Sequence, residues 1–191
     1  LRVLMIIPAY NEEESIFDTV TSILNYRKKV DFDLDYVVIN DGSTDMTKQI
    51  LDENHFNAVH LVMNLGIGGA VQTGYKYALA HDYDVAVQFD GDGQHDIESL
   101  SDLLEPIRKN EADLVIGSRF VGDVKSEFQT TFMRRFGIGV ISNLIKWTTG
   151  QRVLDTTSGY RLADKVVIKQ FARRYPIKYP EPETIVHILK R

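Results

Sequence analysis

Apolar residues fall along this chain in short β-branched runs that alternate with longer stretches of helical period. Val3 to Ile7 is the first run, closed by Pro8. Glu12 to Lys29 follows, with Ile16, Val20, Ile23 and Leu24 at the spacing of one helix face. Tyr36 to Ile39 predicts a second strand, ended by Asn40-Asp41-Gly42, and Ser43 or Thr44 is placed to cap a helix reaching Asn54. Ala58 to Val62 predicts a third strand and Gly68 to His81 a third helix. Val85 to Phe89 predicts a fourth strand, Ile97 to Lys109 a fourth helix and Leu114 to Ile116 a fifth strand. Alternating strands and helices make βαβ units, so the expected class is α/β with a mostly parallel sheet and helices on both faces.

In such sheets ligands bind beyond the carboxyl ends of the strands. Asn11-Glu12, Asp41-Gly42, Asn64-Leu65-Gly66 and Asp90-Gly91-Asp92 all fall at those ends. Four strand ends carrying Asn, Asp or Gly predict one shared site. After Gly117 the pattern loosens. Thr130 to Trp147 predicts an amphipathic helix with Arg134 and Arg135 near its start, Asp155 to Arg161 a polar turn, and Asp164 to Arg173 a further helix. Repeats, linkers and low-complexity segments are absent from the sequence, so residues 1–191 are expected to form one domain.

Composition adds two constraints. Hydrophobic residues make up 43% and charged residues 26%, a soluble globular balance, and the absence of cysteine removes disulfide and thiol chemistry. No apolar run is long enough for a membrane span. The net charge of -5 hides a split: residues 1–117 carry 8 basic and 21 acidic residues (8 − 21 = -13), and residues 118–191 carry 14 and 6 (14 − 6 = +8). An acidic half suited to a cation thus precedes a basic half suited to an anion: a phosphate, a membrane surface or an acidic acceptor. A solvated basic helix face explains the second half equally well.

The strongest chemical signal is Phe89-Asp90-Gly91-Asp92-Gly93-Gln94-His95-Asp96. In an extended segment, side chains two apart face the same way, so Asp90 and Asp92 can converge on a hard cation, with Gln94 as a further oxygen ligand. Mg²⁺ or Mn²⁺ suits that donor set and commonly bridges protein to diphosphate. An Asp-Gly turn is the plainer alternative, but two carboxylates this close repel unless a cation or proton compensates. A calcium loop fails, because His95 stands where glycine is needed and Ser101 where glutamate is needed. Asn64-Leu65-Gly66-Ile67-Gly68-Gly69-Ala70 lacks the last glycine of a dinucleotide fingerprint and follows the third strand, which argues against a nicotinamide cofactor. Its backbone amides could approach a nucleotide or sugar, or the glycines could simply serve a tight turn and close helix packing. Asp41 could bond a base or ribose, or cap a helix. Arg119 could hold a phosphate, or join a surface ion pair.

Taken in order, Ile7-Pro8-Ala9-Tyr10-Asn11-Glu12-Glu13, Val38-Ile39-Asn40-Asp41-Gly42-Ser43-Thr44-Asp45, Asn64-Leu65-Gly66, Asp90-Gly91-Asp92 with Gln94-His95, Gly117-Ser118-Arg119 and Thr157-Ser158-Gly159-Tyr160-Arg161 span nearly the whole chain. This series resembles family 2 of the glycosyltransferases, with the GT-A fold, and is most similar to the branch of dolichyl-phosphate mannose synthases and bacterial polyprenyl-phosphate glycosyltransferases. The resemblance implies a Rossmann-like sheet, a UDP- or GDP-linked sugar donor, Mg²⁺ or Mn²⁺, and inversion at the anomeric carbon. It implies a nucleotide-binding set of Pro8, Ala9, Tyr10, Glu12, Asp41, Gly69, Asp90 and Gly91, and a metal set of Asp90, Asp92 and Gln94. Asp92 and Arg119 would serve catalysis, and Arg119 with Arg134 or Arg135 would contact phosphate groups, the latter on the acceptor. It divides the domain into a nucleotide-sugar half, 1–117, and an acceptor-side half, 118–191.

A polyprenyl-phosphate or lipid-linked acceptor is already an anion and needs no general base. A sugar hydroxyl of a growing polysaccharide does, and Asp155 or Glu183 could supply it, though a turn cap and a helix N-terminal acid account for them as well. Relatives usually continue beyond the position of Arg191, so the chain is expected to be cut there. The expected setting is the cytosolic face of a membrane, peripherally bound, with no nucleic-acid partner and with homo-oligomerisation open. A sugar-nucleotide pyrophosphorylase is disfavoured, because no glycine- and basic-rich loop follows the first strand. A non-catalytic sugar-nucleotide binding module remains the rival from another class.

Overall fold

The computed structural model describes residues 1–89, 97–117 and 160–175. Its strands are β1 (Arg2–Ala9), β2 (Asp33–Asn40), β3 (Ala58–His60), β4 (Val85–Gln88), β5 (Leu114–Ile116) and β6 (Arg161–Asp164). Its α-helices are α1 (Ile16–Arg27), α2 (Thr47–Glu53), α3 (Gly66–Ala80), α4 (Leu100–Arg108) and α5 (Lys165–Arg173), with a 3-10 turn at Ile97–Ser99. The six strands form one sheet in the order β3-β2-β1-β4-β6-β5. β1 pairs in parallel with β2 and β4, and β2 with β3, whereas β6 runs antiparallel to both β4 and β5.

The strand period of two sorts β1 between two cores. Val3, Met5, Ile7 and Ala9 join the layer that holds Ile16, Val20 and Ile23 of α1, Leu51 of α2 and Leu104 of α4. Leu4 and Ile6 join the opposite layer, with Val71 and Tyr75 of α3 and Val167, Ile168 and Phe171 of α5. Burial on both faces explains why these strands are continuous apolar runs rather than alternating ones. α3 lies very close to the sheet. A Cβ on Gly74 would stand 2.2 Å from Cγ2 of Ile6, so only glycine permits this approach.

Three expectations are corrected. Pro8 does not close β1; it lies inside the strand, opposite Ile39. The amide of Phe89 donates to Ile6 O, so even-numbered residues of β1 face β4, whose pairing ends at Ile6 and Gln88. Pro8 therefore lacks its N–H on a side where the ladder has already stopped. Neither Ser43 nor Thr44 caps the second helix. α2 starts later, at Thr47, and the Asp45 carboxylate accepts from the Thr47 amide at 3.0 Å. Arg161 does not end a polar turn: it opens β6, fully buried and opposite Gln88. The helix expected over Thr130–Trp147 lies outside the described residues.

Candidate functional site

β1, β2 and β3 deliver their following loops to one edge of the sheet. The loop after β1 turns at Asn11, whose φ of +57° is left-handed, a conformation asparagine tolerates better than most residues. The loop after β2 turns at Gly42, with φ of +69°. A Cβ there would stand 2.8 Å from the backbone of both Met63 and Asn64, so glycine lets the β2 and β3 loops touch.

Side chains then bind the loops together. The Asn11 amide donates to Ser43 Oγ at 3.0 Å, and Asn11 Oδ1 accepts from the Thr44 amide at 2.9 Å. The Glu12 amide donates to Thr47 Oγ1 at 2.8 Å. The Glu13 amide donates to Asp45 Oδ2 at 3.2 Å, and Glu13 Oε2 accepts from the Met46 amide at 2.8 Å. Burial pushes the Asp45 carboxyl up, but the Thr47 hydroxyl and the amides of Thr47 and Glu13 outweigh it and hold the group below its usual range.

Asp41 sits at the centre of this arrangement, 2% exposed. Its amide donates to Ala9 O at 2.8 Å, and its Oδ1 accepts from the Leu65 amide at 2.7 Å. Asp41 thus ties the ends of all three strands. Among the described residues its Oδ2 accepts no hydrogen bond, which leaves one carboxylate oxygen to receive a ligand N–H or O–H.

The other expected nucleotide contacts are placed as follows. Pro8 and Ala9 are buried at the end of β1, and Tyr10 is 48% exposed where the strand leaves the sheet. Glu12 turns back on its own helix start and accepts from the Ser15 hydroxyl at 2.7 Å. Gly69 lies in the first turn of α3, where a Cβ would stand 2.5 Å from the Leu65 Cβ. The structure therefore brings Pro8, Ala9, Tyr10, Asp41 and Gly69 towards one edge. Phe89 is held to Ile6 at the same edge, so the chain leaves it into the acidic segment. Asp90, Gly91, Asp92, Gln94, Arg119, Arg134, Arg135, Asp155 and Glu183 lie outside the described residues. Among the described residues no group of three or more His, Asp or Glu could hold a metal ion. The sequence Asp90-Gly91-Asp92-Gly93-Gln94 offers hard oxygen donors of the kind that suit a divalent cation. Glu13, Asn40 and Asp45 stand in the loop motifs of the sequence without a role of their own there, and His60, at the end of β3, belongs to no motif.

A sequence model of Glycosyl transferase family 2 matches residues 5–173. The chain is 30% identical to a UDP-N-acetylglucosamine–dolichyl-phosphate N-acetylglucosaminyltransferase of Methanococcus voltae, covering 91% of this chain and 74% of that protein. It is 35% identical to an undecaprenyl-phosphate mannosyltransferase of Micrococcus luteus, covering 84% and 65%. Among solved structures it is similar to S. aureus TarS 1–349 in complex with UDP, with a TM-score of 0.62, 22% identity, and 99% and 55% of the two chains covered. It is also similar to glucosyl-3-phosphoglycerate synthase of Mycobacterium tuberculosis in complex with Mn²⁺, UDP-glucose and phosphoglyceric acid, with a TM-score of 0.63, 21% identity, and 87% and 57% covered. The chain spans little more than half the length of these two structures, and at such identities they speak for the fold. The αβ sheet, the bound loops at its carboxyl edge and the family match over most of the chain lead to one conclusion: this chain belongs to family 2 of the glycosyltransferases.

Proposed function

We propose that this chain transfers a sugar from a UDP- or GDP-linked donor to a polyprenyl phosphate at the inner face of a membrane, with inversion at the anomeric carbon. The observation that carries the donor half is Asp41, a buried carboxylate with one oxygen fixed by Leu65 and the other open, at the edge where three loops meet. That oxygen is suited to accept a hydrogen bond from a nucleobase. Tyr10 and the β1 end supply an adjoining wall.

Departure of the nucleotide develops negative charge on the diphosphate. Asp90, Asp92 and Gln94 would hold a divalent metal, which when bound neutralises that charge. Arg119 would add a fixed positive charge there, and charge placed in advance of the reaction stabilises the transition state more than the ground state. Arg134 or Arg135 would receive the acceptor phosphate. A phosphate oxygen is already anionic at neutral pH, so attack on the anomeric carbon needs no general base on this chain.

The last described helix supports an anionic acceptor side. α5 begins at the end of β6, opposite the start of β4, and Tyr175 just beyond it bonds Gln88 at the end of β4 at 3.1 Å. The helix therefore climbs towards the site edge. Its outer side carries Lys165, Lys169 and Arg173, followed by Arg174, all exposed. Lys165 is bound to Asp82 and Asp84, whereas among the described residues the other three have no ion pair. No described helix is long and apolar enough to cross a membrane.

The test is an acceptor panel: radiolabelled UDP- and GDP-sugars with Mn²⁺ or Mg²⁺, offered undecaprenyl phosphate, dolichyl phosphate or oligosaccharides. Label moving into the organic phase with a lipid phosphate is expected. Label moving only to oligosaccharide hydroxyls would overturn the acceptor reading, and donor binding without transfer would leave a binding module.

A further inference from the structure

β2 and β3 end side by side, with Asn40 and His60 as register partners. Their side chains meet, Asn40 Nδ2 lying 3.0 Å from His60 Nδ1. On its other side, His60 Nε2 lies 3.1 Å from Asp52 Oδ1 of α2. Asn40 Oδ1 accepts from the Ser43 amide at 3.1 Å, and Asn40 is 2% exposed.

Donor and acceptor chemistry fixes every proton in this chain of contacts. The Ser43 N–H can only donate, so the Asn40 atom facing it is the amide oxygen. The amide nitrogen then faces His60, and it too can only donate. Nδ1 must be the bare acceptor, the ring proton sits on Nε2, and the Asp52 carboxylate receives it. Turning the Asn40 amide over would set its NH₂ against the Ser43 N–H, so one assignment satisfies all four groups. Lys48 beside Asp52 holds that carboxyl below its usual range, which keeps it an acceptor.

We propose that His60 is a positioning residue for donor binding: through Asn40 it holds the Ser43 amide, and with it the turn that presents Asp41. The inference rests on reading Asp41 as a nucleotide contact. Ser43 is the junction, because its hydroxyl also accepts from Asn11 and so couples the turn to the β1 loop. Without an acceptor at His60 Nδ1, a buried amide NH₂ loses its partner, a loss that is costly where nothing replaces it. The Asn40 amide is then free to turn, and Ser43 is released.

The experiment compares the whole chain with His60→Leu, which removes the acceptor, and His60→Asn, which keeps an oxygen at the δ position but not the reach to Asp52. Long-range ¹H–¹⁵N spectra of the wild type should show His60 protonated on Nε2 alone; a proton on Nδ1 would overturn the assignment. His60→Leu should weaken UDP or GDP binding by about tenfold and raise the donor KM, with kcat little changed. His60→Asn should restore both. Equal nucleotide affinity in a folded His60→Leu chain, or a His60→Asn chain no better than His60→Leu, would refute the proposal. If the wild type binds neither UDP nor GDP, the nucleotide reading of Asp41 fails instead. Hydrogen exchange at the Ser43 amide then still decides the positioning: faster in His60→Leu than in His60→Asn supports it, and equal rates refute it.

Discussion

Asp41 divides its two oxygens between structure and ligand, and that division makes a clean substitution available. Asp41→Asn keeps an acceptor for the Leu65 amide but replaces the open oxygen with an NH₂ donor. We expect the melting temperature to stay near that of the wild type, while UDP or GDP affinity measured by calorimetry falls by roughly 10–100-fold. Unchanged affinity would remove Asp41 from the nucleotide site. Asp45 makes a prediction in pH. Its carboxyl is held below the usual range in the folded chain, so the stabilisation it gives is complete above the unfolded value and disappears as pH falls through the folded one. Urea melts of wild type and Asp45→Asn should therefore differ at neutral pH and converge in acid, once the pH has fallen past the lowered value of the folded carboxyl. A difference that persisted in acid would mean the charge is not what binds Asp45 to Thr47 and Glu13. Asp41 stood out in the sequence as a candidate because it lies in the polar Asn40-Asp41-Gly42 turn that follows an apolar run. The pairing of Asn40 with His60 did not, because the two lie 20 residues apart and only strand register brings them together.

At the scale of elements, the alternation of runs gave five strands and the helices between them, because burial on both faces leaves long unbroken apolar segments. β6 stayed hidden for the opposite reason. Its four residues, Arg161-Leu162-Ala163-Asp164, begin and end in charge, and its place between β4 and β5 comes from antiparallel pairing across distant sequence. The N-terminus of the following helix was legible, since Asp164 accepts from the Val167 amide at 2.9 Å as an N-cap should. Gly74 tests how α3 seats on the sheet. In a solvent-facing helix position, glycine to alanine stabilises by about 1 kcal/mol. Here the new methyl would collide with Ile6, so Gly74→Ala should instead destabilise the chain by about 1–3 kcal/mol in urea unfolding. A gain in stability would contradict the close approach of α3 to β1.

At the scale of the whole molecule, the split between an acidic first half and a basic remainder matches the two ends of the proposed reaction. The acidic part carries Asp41 and the Asp90-Gly91-Asp92 segment, and the basic part carries α5 and the arginines proposed for the acceptor. The fold places the ends of β2 and β4, which lead to the acidic segments, on one edge, and family membership supplies the reaction class. The most direct measurement is incorporation of labelled sugar into polyprenyl phosphate by wild type and Asp92→Ala, with circular dichroism confirming that the variant is folded. The account predicts metal-dependent incorporation by the wild type and a loss of at least about a hundredfold in the variant, since electrostatic groups of this kind supply 10²–10³ in rate. Near-wild-type incorporation by a folded Asp92→Ala chain would contradict it.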